Sequence, residues 1–223
     1  MKSNFTIARS DLVYLWDDCR RCFYDHVKNG LELPRSFSPH FTNADRAMRR
    51  AIAEHEVVDL GVGPPFRVIA QGEWVESRPI PFAAHGLSLS FRGQIDGLVA
   101  TGSGDAEELW VVDYKTTTLE DAQLVKFRRQ LMSYVVAIEQ PASECLGTRR
   151  YVDGTALIVF DPSKFVFNAK TKWSGLCGLT RWVELPRRDH LFDQFLSRVA
   201  ACIASASAPP SDPKCTLCRL RRT

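Results

Sequence analysis

Leu12, Leu15, Trp16, Cys19 and Phe23 recur at helical spacing and predict an amphipathic helix over about Ser10 to Lys28. Ser10 can cap it, and Gly30 suits the turn that ends it. After the proline-punctuated stretch LELPRSFSPHFT, a second helix is expected from Asn43 to about Asp59, with Ala47, Ala51 and Ile52 facing inward. Gly61 to Pro65 breaks the chain, and the period shortens. Phe66 to Trp74, Leu87 to Ala100 and Leu109 to Lys115 read as strands, the last two joined by the turn TGSGDAEE. A helix over about Leu119 to Glu139 follows, then an apolar strand, Ala156 to Phe160, closed by Asp161-Pro162. Trp173 to Leu185 supplies a further strand, and a helix over about Asp189 to Ser205 leads into the tail SAPPSDPKCTLCRLRRT. This order describes an α/β or α+β sheet with helices packed against it.

Composition agrees with an ordinary globular chain. The 223 residues, 45% hydrophobic and 25% charged, suit one domain with a sizeable core or one domain with a small accessory lobe. No apolar run reaches the length of a membrane span. The start, MKSNFTIARSDLVY, lacks the features of a signal peptide, so a cytoplasmic protein without membrane contact is expected and the Asn4-Phe5-Thr6 sequon has no consequence. A net charge of +3 does not announce nucleic acid. The basic residues are clustered, however: Arg46, Arg49 and Arg50; Lys126, Arg128 and Arg129; Arg149 and Arg150; Arg187 and Arg188; Arg219, Arg221 and Arg222. Such groups either track a phosphate backbone or form solvated faces.

The segment LWVVDYKTTT carries the chemistry. Trp110 and Val112 point to one side of the strand and Val111 to the other, so its first half is buried on both faces. Asp113 and Lys115 then project from a common face. Charges there are costly without partners, and two readings remain: an ion pair, or a metal site with Asp113 as ligand and Lys115 beside the attacking water. The preceding strand, FRGQIDGLVA, sets Asp96 between Gly93 and Gly97 in the hairpin partner, beside Asp113. Two adjacent carboxylates repel unless a cation sits between them, and hard oxygen ligands suit Mg²⁺ or Mn²⁺. Gln130 and Tyr134, at i and i+4 on one helix face, can hydrogen-bond a phosphate or a base edge.

Of the seven cysteines, Cys19/Cys22 and Cys215/Cys218 form two Cys-x-x-Cys pairs near opposite ends of the chain. Together they supply four thiolates, enough for a [4Fe–4S] cluster or a tetrahedral zinc. Four cysteines close the coordination shell, so the centre is expected to be structural, tying the terminal segments together. Arg20, Arg21, Arg219, Arg221 and Arg222 flank it as a candidate DNA-binding rim. Cys145, Cys177 and Cys202 read as buried apolar side chains.

Gly93-x-x-Asp96, Asp113-Tyr114-Lys115-Thr116 and Gln130-x-x-x-Tyr134 together resemble the RecB-like branch of the PD-(D/E)XK nuclease superfamily, which includes CRISPR-associated iron–sulfur adaptation nucleases. The resemblance implies a restriction-endonuclease-like central mixed β-sheet flanked by helices, with a core over about residues 43–185 and a metal-binding lobe from residues 10–30 and 206–223 of one nuclease domain. It implies a DNA nuclease, an exonuclease on single-stranded DNA or free ends. Asp96, Asp113 and the Tyr114 carbonyl would bind Mg²⁺ or Mn²⁺, Lys115 would assist water attack, and Gln130 and Tyr134 would orient the nucleic acid. A histidine from a preceding helix often completes such a site, which makes His55 the candidate, with Glu54 and Glu56 beside it. An iron–sulfur cluster is implied too, although the family pattern is one cysteine before the core and three after, against two and two here; zinc is the alternative. Protein partners in recombination, repair or CRISPR adaptation would be compatible. The competing reading is a nucleic-acid-binding module on the same fold, inactive or dependent on a partner.

Overall fold

The computed structural model describes residues 3–32, 39–143 and 151–221. Two sheets carry the fold. The smaller contains β1 (Asn4–Ala8), β3 (Trp74–Glu76), β4 (Ile80–Phe82) and β5 (Leu87–Gln94); β1 runs parallel to β5, while β3 and β4 pair antiparallel with it. The larger has the order β2 (Phe66–Ala70), β6 (Gly97–Thr101), β7 (Glu108–Thr116), β8 (Gly154–Asn168) and β9 (Trp173–Glu184). Its β7–β8 pair is parallel and the remaining pairs are antiparallel. The helices are α1 (Trp16–Asp18), α2 (Arg20–Asn29), α3 (Pro39–Ala53), α4 (Asp121–Glu139), α5 (Asp189–Ala204) and α6 (Thr216–Leu220).

Alternation along β7 builds the sandwich. Val111, with Leu98, Leu157 and Val159, packs against Leu131, Val135 and Ile138 of α4. Val112 and Tyr114, with Val99, Ala156 and Ile158, face the other way and meet Ile52 of α3. A third core joins β1 and β5 to α2 and α5 through Phe5, Phe91, Phe23 and Phe195. The mixed α/β architecture with helices against the sheets is the expected one, but the strands divide between two sheets where one was expected. The split has a local cause. The expected strand from Leu87 to Ala100 stops at Gln94 and resumes at Gly97, so the chain leaves one sheet and enters the other through Ile95 and Asp96. The expected strand from Phe66 to Trp74 is likewise cut at Gly72, whose φ of 69° is left-handed.

Several expected boundaries are corrected. The first helix is interrupted: a π-helical turn over Asp11–Leu15 runs into α1, and Cys19 then adopts an extended backbone (φ −164°) before α2 begins. Its apolar stripe is buried as expected, and Gly30 ends it in a left-handed conformation. Ser10 is already helical and forms no capping bond; the Ala8 amide donates to the Asp11 carboxylate instead (2.9 Å). Helix α3 turns Ile52 inward but leaves Ala47 and Ala51 exposed, because the larger Met48 and Ile52 carry the apolar contact. Strand β8 passes through Asp161-Pro162 to Asn168, with a register shift at Pro162 that spares the ladder its missing amide. Cys177 is exposed and Cys202 half-buried, so neither is the buried side chain expected, and Cys145 lies outside the described residues. Among the described residues no helix is long and apolar enough to cross a membrane.

Candidate active site and four-cysteine centre

Asp96 and Asp113 reach the same place from different parts of the chain. Asp96 lies in the two-residue crossover between the sheets, and the Tyr114 amide donates to its Oδ2 (3.3 Å). Asp113 is in mid-strand and fully buried. The two carboxyls are close enough that the Arg9 Nη1 lies within 3.9 Å of both. Gly97 permits this approach: a Cβ there would lie 2.8 Å from the Val112 side chain. Gly93 makes room for Tyr134 and Arg9, which a Cβ would meet at 3.2 and 3.7 Å.

Basic groups close around the pair. The Lys115 ammonium lies against Asp113 Oδ2, yet no hydrogen bond of ordinary geometry satisfies that buried oxygen. Arg9, emerging from the end of β1, places Nη1 3.3 Å from Asp113 Oδ1 and 3.9 Å from Asp96 Oδ1. Arg49 of α3 approaches Asp96 Oδ1 at 3.4 Å. The cleft, about 350 Å³, is lined by Arg9, Ser10, Tyr14, Asp45, Arg49, Asp96, Lys115 and Gln130. Asp45 accepts a hydrogen bond from the Thr116 hydroxyl (2.8 Å), and burial raises its pKa.

The electrostatics separate the two acids. Burial, and then the negative charge of Asp113, push Asp96 up to about 7. Burial acts against the charged form of Asp113 as well, but Lys115 and Arg9 outweigh it and hold its pKa below the usual carboxylate range. Burial likewise opposes the charge on Lys115, and Asp113 and Asp96 more than offset it, so the amine stays an ammonium. A divalent cation would relieve the repulsion that resists ionisation of Asp96 beside Asp113, and two carboxylates offer the hard oxygen donors such an ion takes. The Tyr114 amide faces Asp96, and in a strand the carbonyl of a residue projects from the same edge as its amide. Its carbonyl therefore lies on that side, beyond the last β6–β7 pair, Gly97 with Val112.

Gln130 and Tyr134 face this site from α4. Both are buried; Gln130 donates to Asp113 Oδ1, and the Tyr134 hydroxyl donates to the Gln94 carbonyl (2.6 Å). Gln130 lines the cleft. His55, Glu54 and Glu56 are exposed past the end of α3, and His55 lines a separate depression with Ile52 and Val58. The acid that α3 brings to the cleft is Asp45. It shares a helix face with Arg49 and the buried Ile52, and that spacing was the signal in the sequence. Arg9 had no such signal, because its position depends on the pairing of β1 with β5.

The four cysteines meet. Cys19, Cys22, Cys215 and Cys218 place their Sγ atoms within 4.8 Å of one another. Each pair uses the same device: the first cysteine is extended at a helix start and the second sits in the first turn, with the Cys218 amide donating to Cys215 Sγ (3.4 Å). Three of the six sulfur pairs lie at 3.4, 3.6 and 3.7 Å, near the tetrahedral edge of roughly 3.8 Å for 2.3 Å metal–sulfur bonds, and all six lie within 4.8 Å. Burial raises the Cys19 pKa, but backbone hydrogen bonds from Asp212 and Cys22 outweigh it and bring the thiol to about 7. Arg221 donates toward Cys22 and Cys218 (3.5 and 3.7 Å) and pairs with Asp25 (3.0 Å), which suits thiolates. Of the expected basic rim, Arg20 stacks on Trp16 and Arg21 faces Asp25, while Arg222 lies outside the described residues.

The family model of the PD-(D/E)XK nuclease superfamily matches residues 11–223. No curated protein matches the chain.

Proposed function

The chain belongs to the PD-(D/E)XK nuclease superfamily, and from that membership we propose that it is a Mg²⁺- or Mn²⁺-dependent deoxyribonuclease of the RecB-like branch, acting as an exonuclease on single-stranded DNA. One observation supports the assignment: Asp96 and an obligately charged Lys115 line one cleft, and the buried Asp113 lies against Lys115. We take the whole chain as one nuclease domain whose ends form its metal-bound lobe.

Asp96, Asp113 and the Tyr114 carbonyl would hold the ion, with Asp45 in place of the expected His55. A divalent cation there supplies an activated water and neutralises charge on the phosphate. The protein's own groups do the rest. Lys115 carries a proton, so its part is to hold the attacking water and offset charge growing on the phosphate oxygens, not to abstract a proton. Gln130 fixes the orientation of Asp113 while its position in the cleft leaves it facing the strand. Tyr134 acts through the Gln94 carbonyl, holding the end of β5 from which Asp96 departs. Arg49 steadies Asp96 through its Oδ1.

For the cysteine centre, the sulfur spacing favours a single zinc over the [4Fe–4S] cluster that the resemblance implies, since a cubane interposes four irons and four sulfides among the thiolates.

The test is cleavage of end-labelled linear and circular single strands by the wild type, Asp113→Asn and Lys115→Ala. Both variants should lose about a thousandfold or more in rate while keeping a folded spectrum, and the circle should resist the wild type. Normal cutting by both variants refutes the site assignment, a wild type that cuts neither substrate refutes the nuclease, and a cut circle refutes the exonuclease.

A further inference from the structure

Two arginine clusters distant in the sequence converge on the side of α4 away from the carboxylates. A cleft of about 220 Å³ between α4 and α5 is lined by Arg128, Arg129 and Met132 from one side and by Arg188, Phe195 and Arg198 from the other. Four guanidiniums thus surround an opening with an apolar floor. Arg129 is neutralised, its Nη1 lying 2.8 and 2.9 Å from the two Asp17 oxygens. Arg187, next to the cleft, is engaged by Glu139 and Asp189. Among the described residues, Arg128 and Arg188 have no acidic partner. The Arg128 Nε is buried without a hydrogen-bond acceptor, a costly state for the hydrogen-bond donor of a charged group. Burial first, and then the Arg188 charge, lower the pKa of Arg128, which locates the two like charges near each other. Phe195 lies beneath Arg129 and Arg198, with centroid distances of 4.3 and 5.9 Å, and braces both planes.

A buried, unanswered N–H beside a second cation calls for an anion with several acceptor oxygens. We propose that the α4–α5 cleft is a phosphate-binding subsite that takes a phosphodiester of the nucleic-acid strand whose scissile group lies at Asp113. Planar guanidiniums match phosphate in this way, and Met132 and the neighbouring Leu191 offer apolar contact to a sugar or base. Gln130 and Arg128 stand two residues apart on α4 and on opposite faces of it, so a strand that meets both passes around the helix. The choice of a strand as occupant rests on the nuclease reading; the anion site itself does not.

The measurement is anisotropy of a fluorescein-labelled oligothymidylate, with no added divalent cation, across a range of KCl. The Arg128→Ala/Arg188→Ala variant should bind about tenfold more weakly near 0.1 M salt, and the slope of log Kd against log[KCl] should fall by about 1.4, as expected for two lost phosphate contacts on a single strand. Arg128→Lys/Arg188→Lys should recover most of that slope, and melting temperatures within about 2 °C of wild type show that the fold is kept. Equal slopes for the wild type and the alanine variant overturn the proposal. Inorganic phosphate that stabilises the wild type but not the variant, with no change in oligothymidylate slope, assigns the cleft to a free anion and overturns the strand. A wild type that cuts no DNA while the slope difference persists refutes the nuclease and leaves the subsite standing.

Discussion

Arg9 stands 3.3 Å from Asp113 across a hundred and four positions of chain, in the space between two carboxylates that a cation is needed to fill. In the metal-free protein the guanidinium does part of that work. Replacing it with glutamine should lower metal-free stability by about 1–2 kcal/mol, a fall in melting temperature of roughly 3–6 °C for a chain of this size. Added Mg²⁺ or Mn²⁺ should restore more of the loss in Arg9→Gln than it adds to the wild type. Differential scanning fluorimetry with and without metal reads both effects, and identical metal-induced shifts in the two proteins would contradict this role.

On the proposed reading Asp45 completes the metal site, since it lines the cleft and His55 lines a separate depression. Asp45→Ala should weaken Mn²⁺ affinity and cleavage by about 10- to 100-fold, and His55→Ala should stay within about twofold of wild type. Calorimetric metal titration of both variants decides it; a large effect at His55 with none at Asp45 would restore the histidine.

Asp96 gives the site a pH dependence of definite sign. With a folded pKa near 7 against an ordinary value near 4, the folded metal-free protein holds a proton that the unfolded chain has released. Metal-free stability should therefore decline as pH rises from about 4 to about 7 and level off above. A bound divalent ion must expel that proton, so affinity should improve about tenfold per pH unit up to about 7 and then plateau. Asp96→Asn should flatten both profiles. A pH-independent affinity below 7 in the wild type would refute the assignment of that proton.

The thiol centre joins segments that are nearly two hundred residues apart. By analogy with a crosslink of that span, its loss should cost about 5 kcal/mol, comparable with the whole stability of many domains. Cys218→Ser should be recovered mostly unfolded, and Arg221→Ala should be folded but more easily stripped by chelator. Metal analysis should find zinc at about one ion per chain. Brown protein with about four irons would refute zinc and restore the cluster.

The residues that converge at the candidate site were more legible in the sequence than the strand pairing that brings them together. Asp113 and Lys115 sit where a strand pattern turns from apolar to charged, and Asp96 sits between two glycines in the hairpin partner; both are local signals. The two Cys-x-x-Cys pairs announced a common centre for the same reason. What stayed hidden depends on pairing between distant segments. The strand Asn4–Ala8 pairs parallel with Leu87–Gln94, and nothing local marks it as the element that delivers Arg9. The crossover at Ile95–Asp96 hides inside a continuous β pattern, because both halves favour strand and only their partners differ. Pro162 misled in the opposite direction, since a bulge let the ladder pass a residue that ordinarily ends one.

That crossover has a mechanical consequence. Asp113 is anchored in the interior of one layer, whereas Asp96 rides on the joint by which that layer is attached to its neighbour. A slip of one layer against the other alters the gap between the two acids directly, with no relay through intervening side chains. Trp74–Glu76 and Ile80–Phe82 both pair with the strand that leads into that joint, so on the proposed reading a partner that grips either one bears on the spacing of the two acids.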